Sequence, residues 1–246
     1  MKAIILAAGE GTRLKKYTEG MPKGMLPFAG KPLLQHQIET LRTGGIEDIV
    51  IVRGFEGAKI QFHGITYYNN LDWQNTNMVE TLMCAREEMT EEFLVCYSDI
   101  LYEPKVLETV LSTSCNVGVT VDMDFLDYWN ARLDDPQSDH ESLIIENNRI
   151  TELGTPNPPP EKISGRYVGL LKFSGQGIDN LKRTYQQNPK QFKKAFMTDL
   201  LQAMIDTGIT ITPIRINRGW LEFDTNEDYE KYREWIKTGE MDKFYR

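Results

Sequence analysis

Apolar residues along this chain fall into two rhythms. Unbroken runs at residues 3–6, 49–52 and 93–97, and the valine-rich stretch 117–121, have the length of strands buried on both faces. Between the first two runs, Leu33, Leu34, Ile38 and Leu41 recur at helical spacing; Ala29-Gly30-Lys31-Pro32 turns into that helix and Gly44-Gly45 ends it. The pattern predicts further strands at 64–68, 167–173 and 210–216. It predicts helices at 104–111, 175–187, 196–207 and 226–236, and another opening near Met78. A hairpin is expected at 143–153, turning on Asn147-Asn148. Strand, helix and strand joined by tight connections predict an α/β fold with a doubly wound, parallel sheet.

The first strand empties into Leu6, Ala7, Ala8, Gly9, Glu10, Gly11 and Thr12. Small residues after a strand leave backbone amides bare, which is how a chain builds a cradle for phosphate. Arg13 and Lys23 add a cation at either end of the stretch, and Pro22 fixes the backbone before the second. A Walker A loop requires Gly, four residues, then Gly-Lys-Ser/Thr, and nothing here fits. A dinucleotide fingerprint requires a third glycine where Leu14 stands.

The pattern that remains, Leu-Ala-Ala-Gly-x-Gly-Thr-Arg-Leu with Pro22-Lys23 following, resembles the nucleotidyltransferase family of the glycosyltransferase-A-like fold, whose members make sugar nucleotides and CDP-activated headgroups. Gly30-Lys31-Pro32-Leu33 and Gly45-Ile46 agree with it, and the resemblance spans nearly the whole chain. It implies a Rossmann-like mixed, mainly parallel sheet flanked by helices in one domain, 1–246, with a small acceptor or lid subdomain over roughly 122–173. In this family the region of Asn77 lies beside the nucleotide base. Asn75-Thr76-Asn77-Met78-Val79 stands where many sugar nucleotidyltransferases carry a Gly-x-Ala-type run, and resembles the branch that activates phosphocholine, aminoethylphosphonate or phosphoglutamine with CTP. Asn77, with Glu80 three residues on, also has the form of a helix N-cap.

Charge narrows the partners. A formal net charge of −8 argues against nucleic acid or an anionic membrane, so an anionic substrate must be gathered by a local basic pocket. The three cysteines, Cys84, Cys96 and Cys115, are far apart in apolar runs and read as reduced core residues of a cytoplasmic protein. The apolar start is too short for a signal peptide or a membrane span.

Asp99, after Ser98 at the carboxyl end of the strand at 93–97, falls where open α/β sheets bind ligands. A carboxylate there suits Mg2+, which takes oxygen ligands and bridges phosphates; a plain turn role is the alternative. In Gly219-Trp220-Leu221-Glu222-Phe223-Asp224-Thr225, alternation places Trp220, Glu222 and Asp224 on one face. The family ends its core with a Trp-x-Asp/Glu motif of this kind, which implies Asp224, with Glu222, as further metal ligands. Asp224-Thr225 could also cap the helix that follows.

From 122 to 160 aromatics, acids and prolines replace the regular alternation, and acceptor chemistry is expected there. Trp129 offers an aromatic face for an ammonium; Asp122, Asp135, Asp139 and Glu141 offer carboxylates, or are solvated decoration. Arg132 is a partner for a carboxylate or phosphate, Tyr167 lies in the same region, and Thr198 is read first as a helix N-cap and second as an acceptor contact. Residues 237–246 read as an uninformative amphipathic tail.

The expected activity is transfer of CMP from CTP to a small phosphorylated or phosphonylated headgroup. Lys23 neutralises the α-phosphate, and Arg13 and the loop amides hold the β- and γ-phosphates. A sugar 1-phosphate nucleotidyltransferase, a nucleotide-binding protein without turnover and a dehydrogenase are the alternatives, in that order. His36, His63 and His140 form no nucleophile-like arrangement.

Overall fold

The computed structural model describes residues 1–136 and 140–246. In chain order the first half gives β1 (Lys2–Ala7), α1 (Lys15–Thr18), β2 (Pro27–Phe28), β3 (Lys31–Pro32), α2 (Leu33–Thr43), β4 (Asp48–Arg53), β5 (Thr66–Asn69), α3 (Met78–Met83), β6 (Phe93–Tyr97), β7 (Ile100–Tyr102), α4 (Pro104–Ser112) and β8 (Val117–Asp122). The second half gives α5 (Phe125–Arg132), β9 (Glu141–Glu146), β10 (Arg149–Pro156), β11 (Arg166–Phe173), α6 (Gln176–Gln187), α7 (Pro189–Phe192), α8 (Met197–Asp206), β12 (Thr212–Ile216), β13 (Trp220–Glu222) and α9 (Asn226–Thr238).

Seven strands form the main sheet in the order β12-β8-β11-β6-β1-β4-β5. All pairings are parallel except those of β11, which runs antiparallel between β6 and β8. The sheet is therefore mixed and mainly parallel, as expected. Pleating divides β1 between two cores. Ala3, Ile5 and Ala7 pack with apolar residues of α2, α4 and α9 on one side; Ile4 and Leu6 pack with those of α3, α6 and α8 on the other. Burial on both faces is why the strand is apolar at every position from Ala3 to Ala7.

The chain leaves β1 toward β4 while β6 closes the other side, so the strand order reverses at β1. A doubly wound sheet opens a crevice at such a point, outside the carboxyl ends of its strands. The glycine loop leaves β1 there and Asp99 leaves β6 there.

The stretch 122–173 begins and ends in the main sheet, through Asp122 of β8 and the whole of β11. The hairpin forms a separate two-stranded sheet, β9 with β10, and Asn147 and Asn148 adopt the left-handed backbone its turn needs, with φ of 49° and 62°. The tail differs from its expectation. Met241 and Phe244 are buried, the Phe244 carbonyl accepts from Gly219 N, and Arg246 N donates to Glu103, so the tail braces the turn before β13. No helix among the described residues is long and apolar enough to cross a membrane.

Candidate active site

Three backbone hydrogen bonds bring the distant site segments together. Ser98 N donates to Leu6 O at 3.3 Å, tying the end of β6 to the end of β1, and Phe223 N donates to Asp99 O at 2.8 Å, tying the β13 exit to Asp99. β13 itself pairs antiparallel with β7, Glu222 opposite Ile100. Buried Gln37 of α2 donates to the Tyr97 and Ile100 carbonyls at 3.0 and 2.8 Å, which fixes the turn carrying Ser98 and Asp99. Arg53 of β4 accepts Asn70 N at 2.7 Å through its carbonyl, so the next loop is tied to the same end of the sheet.

The loop after β1 is built for close approach. Gly11 has a φ of 71°, and a β-carbon there would meet Lys23 Cβ at 2.8 Å. A β-carbon on Gly9 would meet nothing within 4 Å, because Gly9 faces an open cavity. That cavity, about 220 Å3, is lined by Leu6, Ala8, Gly9 and Gly11 on the loop side, and by Lys23, Ser98, Asp99 and Asp224 on its floor. Its far wall is Trp73, Thr76, Asn77, Met78 and Thr81. Ala7, Glu10 and Thr12 do not line it; Ala7 points into the core.

A second cavity of about 150 Å3 adjoins the first, and Arg13, Met78, Tyr97, Asp99 and Asp224 belong to both. Glu141, Arg166, Tyr167, Gly169, Phe196, Thr198 and Glu222 line only the second. From the first cavity Lys23 reaches both shared carboxylates, its Nζ 2.7 Å from Asp99 Oδ2 and 2.9 Å from Asp224 Oδ1, and Arg13 Nη2 lies 2.9 Å from Asp224. Burial works against the charge of both Lys23 and Asp224. The carboxylates outweigh it for Lys23, whose pKa stands above the usual lysine value, and Lys23 with Arg13 outweighs it for Asp224, whose pKa stands below the usual carboxylate value. Two cations against two carboxylates give a charge-balanced cluster.

Asp224 is aimed by α9. Thr225 caps that helix by accepting from Asp228 N, so the cap falls on Thr225 and leaves the Asp224 carboxylate for the cavity. Asp228 Oδ2 accepts the backbone N–H of Asp224 and of Thr225 at 2.9 and 2.8 Å. Arg132, 1% exposed, grips both oxygens of fully buried Asp228 at 2.8 and 2.9 Å and reaches Glu222 at 2.6 Å. Arg132 is thus a positioning residue, and its assignment as an acceptor contact is corrected: both ends of its guanidinium are committed inside the protein. Glu222 lines the second cavity, where burial pushes its pKa up to about 7 against the pull of Arg132.

Two further assignments are corrected. Asp122 is fully buried and accepts from Asp124 N, Arg218 N and Trp220 Nε1, which locks the β8 exit rather than meeting a ligand. Trp129 is also fully buried, with Arg132 and Arg166 guanidinium groups 4.6 and 4.1 Å from its ring centre. Its aromatic face is used as a platform for two arginines. Thr198 is not the cap of α8: that position is Phe196, whose N–H donates to Asp199, and Thr198 faces the second cavity. Tyr167 lines the same cavity with its hydroxyl 2.9 Å from that of Tyr97; burial raises the pKa of both, which keeps them neutral. Asn77 both caps α3, accepting from Met78 N at 2.9 Å, and lines the first cavity; Glu80 bonds Tyr185 instead of closing a capping box. Asp135 does not line either cavity, and Asp139 lies outside the described residues.

Sequence reasoning passed over Trp73, Thr81, Arg166 and Phe196. Phe196, a large apolar side chain left 56% exposed at a cavity rim, carries no signal in the sequence beyond its place before a helix.

A mainly parallel sheet with a bare-amide loop at its switch point, and beside it a lysine set between two carboxylates where two cavities meet, defines the nucleotidyltransferase class. Residues 3–125 match the MobA-like NTP transferase domain, and the chain belongs to that family. It is 30% identical to a CTP:phosphoglutamine cytidylyltransferase from Campylobacter jejuni, over 94% of this chain and 98% of that one. It is 35% identical to a choline-phosphate cytidylyltransferase from Streptococcus pneumoniae over a shorter stretch, 42% of this chain and 47% of the relative. A solved CTP:phosphocholine cytidylyltransferase from Streptococcus pneumoniae shares the fold with a TM-score of 0.76 at 20% identity, covering 96% of this chain and 98% of that one.

Proposed function

We propose that this protein transfers CMP from CTP to a small phosphorylated acceptor of the phosphoglutamine or phosphocholine type and releases pyrophosphate. The observation that carries the reading is Lys23, in the first cavity, held against Asp99 and Asp224, the two carboxylates that line both cavities. The first cavity has the loop amides for a triphosphate, and a wall of Trp73, Thr76 and Asn77 suited to a planar base. The second has the aromatic and charged groups for a compact polar acceptor. The choice of cytidine and of this acceptor class rests on the likeness to the Campylobacter jejuni enzyme.

In the reaction, an oxygen of the acceptor phosphate attacks the α-phosphorus. The bond from that phosphorus to the bridging oxygen breaks, and pyrophosphate leaves with the electron pair. The attacking oxygen is already ionised at neutral pH, so no general base is needed. The neutral tyrosines and the carboxylates of the site are not asked to take a proton. The difficulty is bringing two anions together, and Lys23 and Arg13 are the groups that screen them.

Asp99 and Asp224 fit Mg2+. Both offer hard oxygens, and Asp99 Oδ1 is buried with no hydrogen-bond partner while Oδ2 faces Lys23. Among the described residues no group of three such side chains could hold a metal ion, so the expected third ligand, Glu222, does not join Asp99 and Asp224 in a set; its carboxylate is paired with Arg132. When bound, the cation supplies neutralisation of the triphosphate charge.

The test is pyrophosphate release with each of the four triphosphates against phosphoglutamine, phosphocholine and hexose 1-phosphates, with and without EDTA. CTP with a headgroup phosphate is expected to be active and EDTA to abolish turnover. Lys23→Met is expected to lower kcat on the order of 10²-fold or more. Turnover with a hexose 1-phosphate alone would overturn the headgroup assignment. Unchanged rates in Lys23→Met and Asp99→Asn would overturn the site.

A further inference from the structure

We propose that Thr76 and Thr81 read the exocyclic amino group of the base, with Asn70 as the positioning residue that sets both hydroxyls to accept. The inference rests on the transferase reading above and goes beyond it to the atoms that choose between a 4-amino and a 4-oxo pyrimidine.

The place of the base follows from the two cavities. The phosphates belong with the bare amides of Gly9 and Gly11 and with Lys23, and the acceptor belongs in the second cavity. Trp73, Thr76, Asn77 and Thr81 line the part of the first cavity that the second does not share, so the nucleoside points toward them. Trp73, packed edge to face on Phe55 with ring centres 5.3 Å apart, offers a ring for stacking.

Behind that wall, buried Asn70 spends its whole carboxamide inside the protein. Its Nδ2 donates to Thr76 Oγ1 at 2.9 Å and to Thr81 Oγ1 at 3.0 Å, and its Oδ1 accepts Asp72 N at 3.1 Å. Each hydroxyl gives its own proton to the carbonyl four residues back, Thr76 to Asp72 at 2.9 Å and Thr81 to Asn77 at 3.1 Å. A hydroxyl has one proton and two lone pairs, so each threonine oxygen keeps one lone pair and has no proton left to give. The two oxygens already share the hydrogens of one amide nitrogen, which spaces them for a second NH2 group. Cytosine presents such a group at its 4-position. Uracil presents a carbonyl oxygen there, which would meet lone pairs. Asn77 does not separate the two bases: its Oδ1 accepts Met78 N, and its Nδ2 donates to Lys194 O at 3.4 Å and keeps one hydrogen, which suits the 2-oxo group that both pyrimidines carry.

Calorimetric titration of the full chain tests the inference without turnover. The ligands are CTP, UTP and the triphosphate of the pyrimidin-2-one ribonucleoside, which has hydrogen in place of the 4-amino group. Wild type is expected to bind CTP on the order of 10- to 100-fold more tightly than either of the others, the scale of a buried hydrogen-bonding group left unpaired. In the double variant Thr76→Val with Thr81→Val that advantage falls to within about threefold while UTP affinity stays near the wild-type value. Thr76→Ser and Thr81→Ser, which keep the hydroxyl, keep most of it. Asn70→Ala, at a residue that touches no ligand, is expected to shrink the ratio of CTP to UTP affinity, whereas a merely structural loss would weaken both alike. An advantage that survives in the double variant overturns the inference and leaves the cytidylyltransferase reading intact. Equal binding of CTP and its 4-hydrogen analogue to wild type overturns it too, as does an equal weakening of CTP and UTP in the double variant. Should the double variant not fold, wild type with the three ligands and Thr76→Val, at the less buried of the two positions, still decide. Pyrophosphate release measured in parallel separates the readings: base discrimination by the threonines without turnover of any acceptor sinks the transferase and not the base wall.

Discussion

Gly9 and Gly11 stand two positions apart and serve different needs. Gly11 is required by the fold, since its φ of 71° and its contact with the Lys23 stem leave no room for a β-carbon. Gly9 meets nothing, so it is required only by whatever fills the cavity. Gly9→Val is therefore expected to unfold within about 0.5 kcal/mol of wild type, the range of changes that disturb no packed feature, yet to lose nucleotide affinity. Gly11→Ala is expected to lose about 1–2 kcal/mol from backbone conformation alone. Urea denaturation and CTP titration of the two variants check the contrast. His36 gives a prediction in pH. Burial holds its pKa below the usual histidine value, opposed by the Phe28 carbonyl 2.8 Å away and aided by Lys31. A group whose folded pKa is depressed binds more protons when unfolded. Its stabilising contribution is present above the ordinary histidine pKa near 6.5 and is lost as pH falls through the folded value. An NMR titration of the ring protons that placed His36 at or above 6.5 would contradict this.

At the scale of elements, β13, α5 and α9 act as one unit because Arg132 joins Glu222 to Asp228 and Asp228 holds the backbone of Asp224. Removing the arginine leaves Asp228, fully buried, without its counter-charge. Arg132→Met is expected to destabilise by about 3–5 kcal/mol, and replacing Asp228 by Leu in the same chain to restore part of the loss, since a buried pair removed whole costs less than one broken. Chemical denaturation of the single and double variants tests this; equal losses would show that the charge pair is not the cause. The sequence made Trp129 and Arg132 look like an acceptor reader because an aromatic face suits an ammonium and an arginine suits a carboxylate or phosphate; in the structure both lie on one face of α5. Which way that face turns is settled by packing on Trp220 and Asp228, residues some ninety positions away, and it turns inward.

The molecule as a whole depends on its last residues. Deleting residues 240–246 removes two buried apolar side chains, Met241 and Phe244, and with them the acceptor for Gly219 N just before β13. Their burial accounts for about 3–6 kcal/mol at about 1.5–3 each, so the shortened chain is expected to unfold at clearly lower urea and to bind CTP more weakly as Asp224 shifts. A midpoint equal to wild type would refute it. The strands, the glycine loop and the separation of α/β units were readable in the chain because each is a local pattern: period, run length, small residues after a strand. Lys23, Asp99 and Asp224 were readable as candidates by their place at element ends. The meeting of Asp99 and Asp224 at Lys23 required the Ser98–Leu6 and Phe223–Asp99 hydrogen bonds, and the roles of Asp122, Trp129 and Arg132 depended on the partners that folding placed beside each. Local sequence sets what a segment can become, because backbone propensity and periodicity act over a few residues. Only the folded chain decides which charges face a cavity and which face each other, because that choice is made by contacts between residues far apart along it.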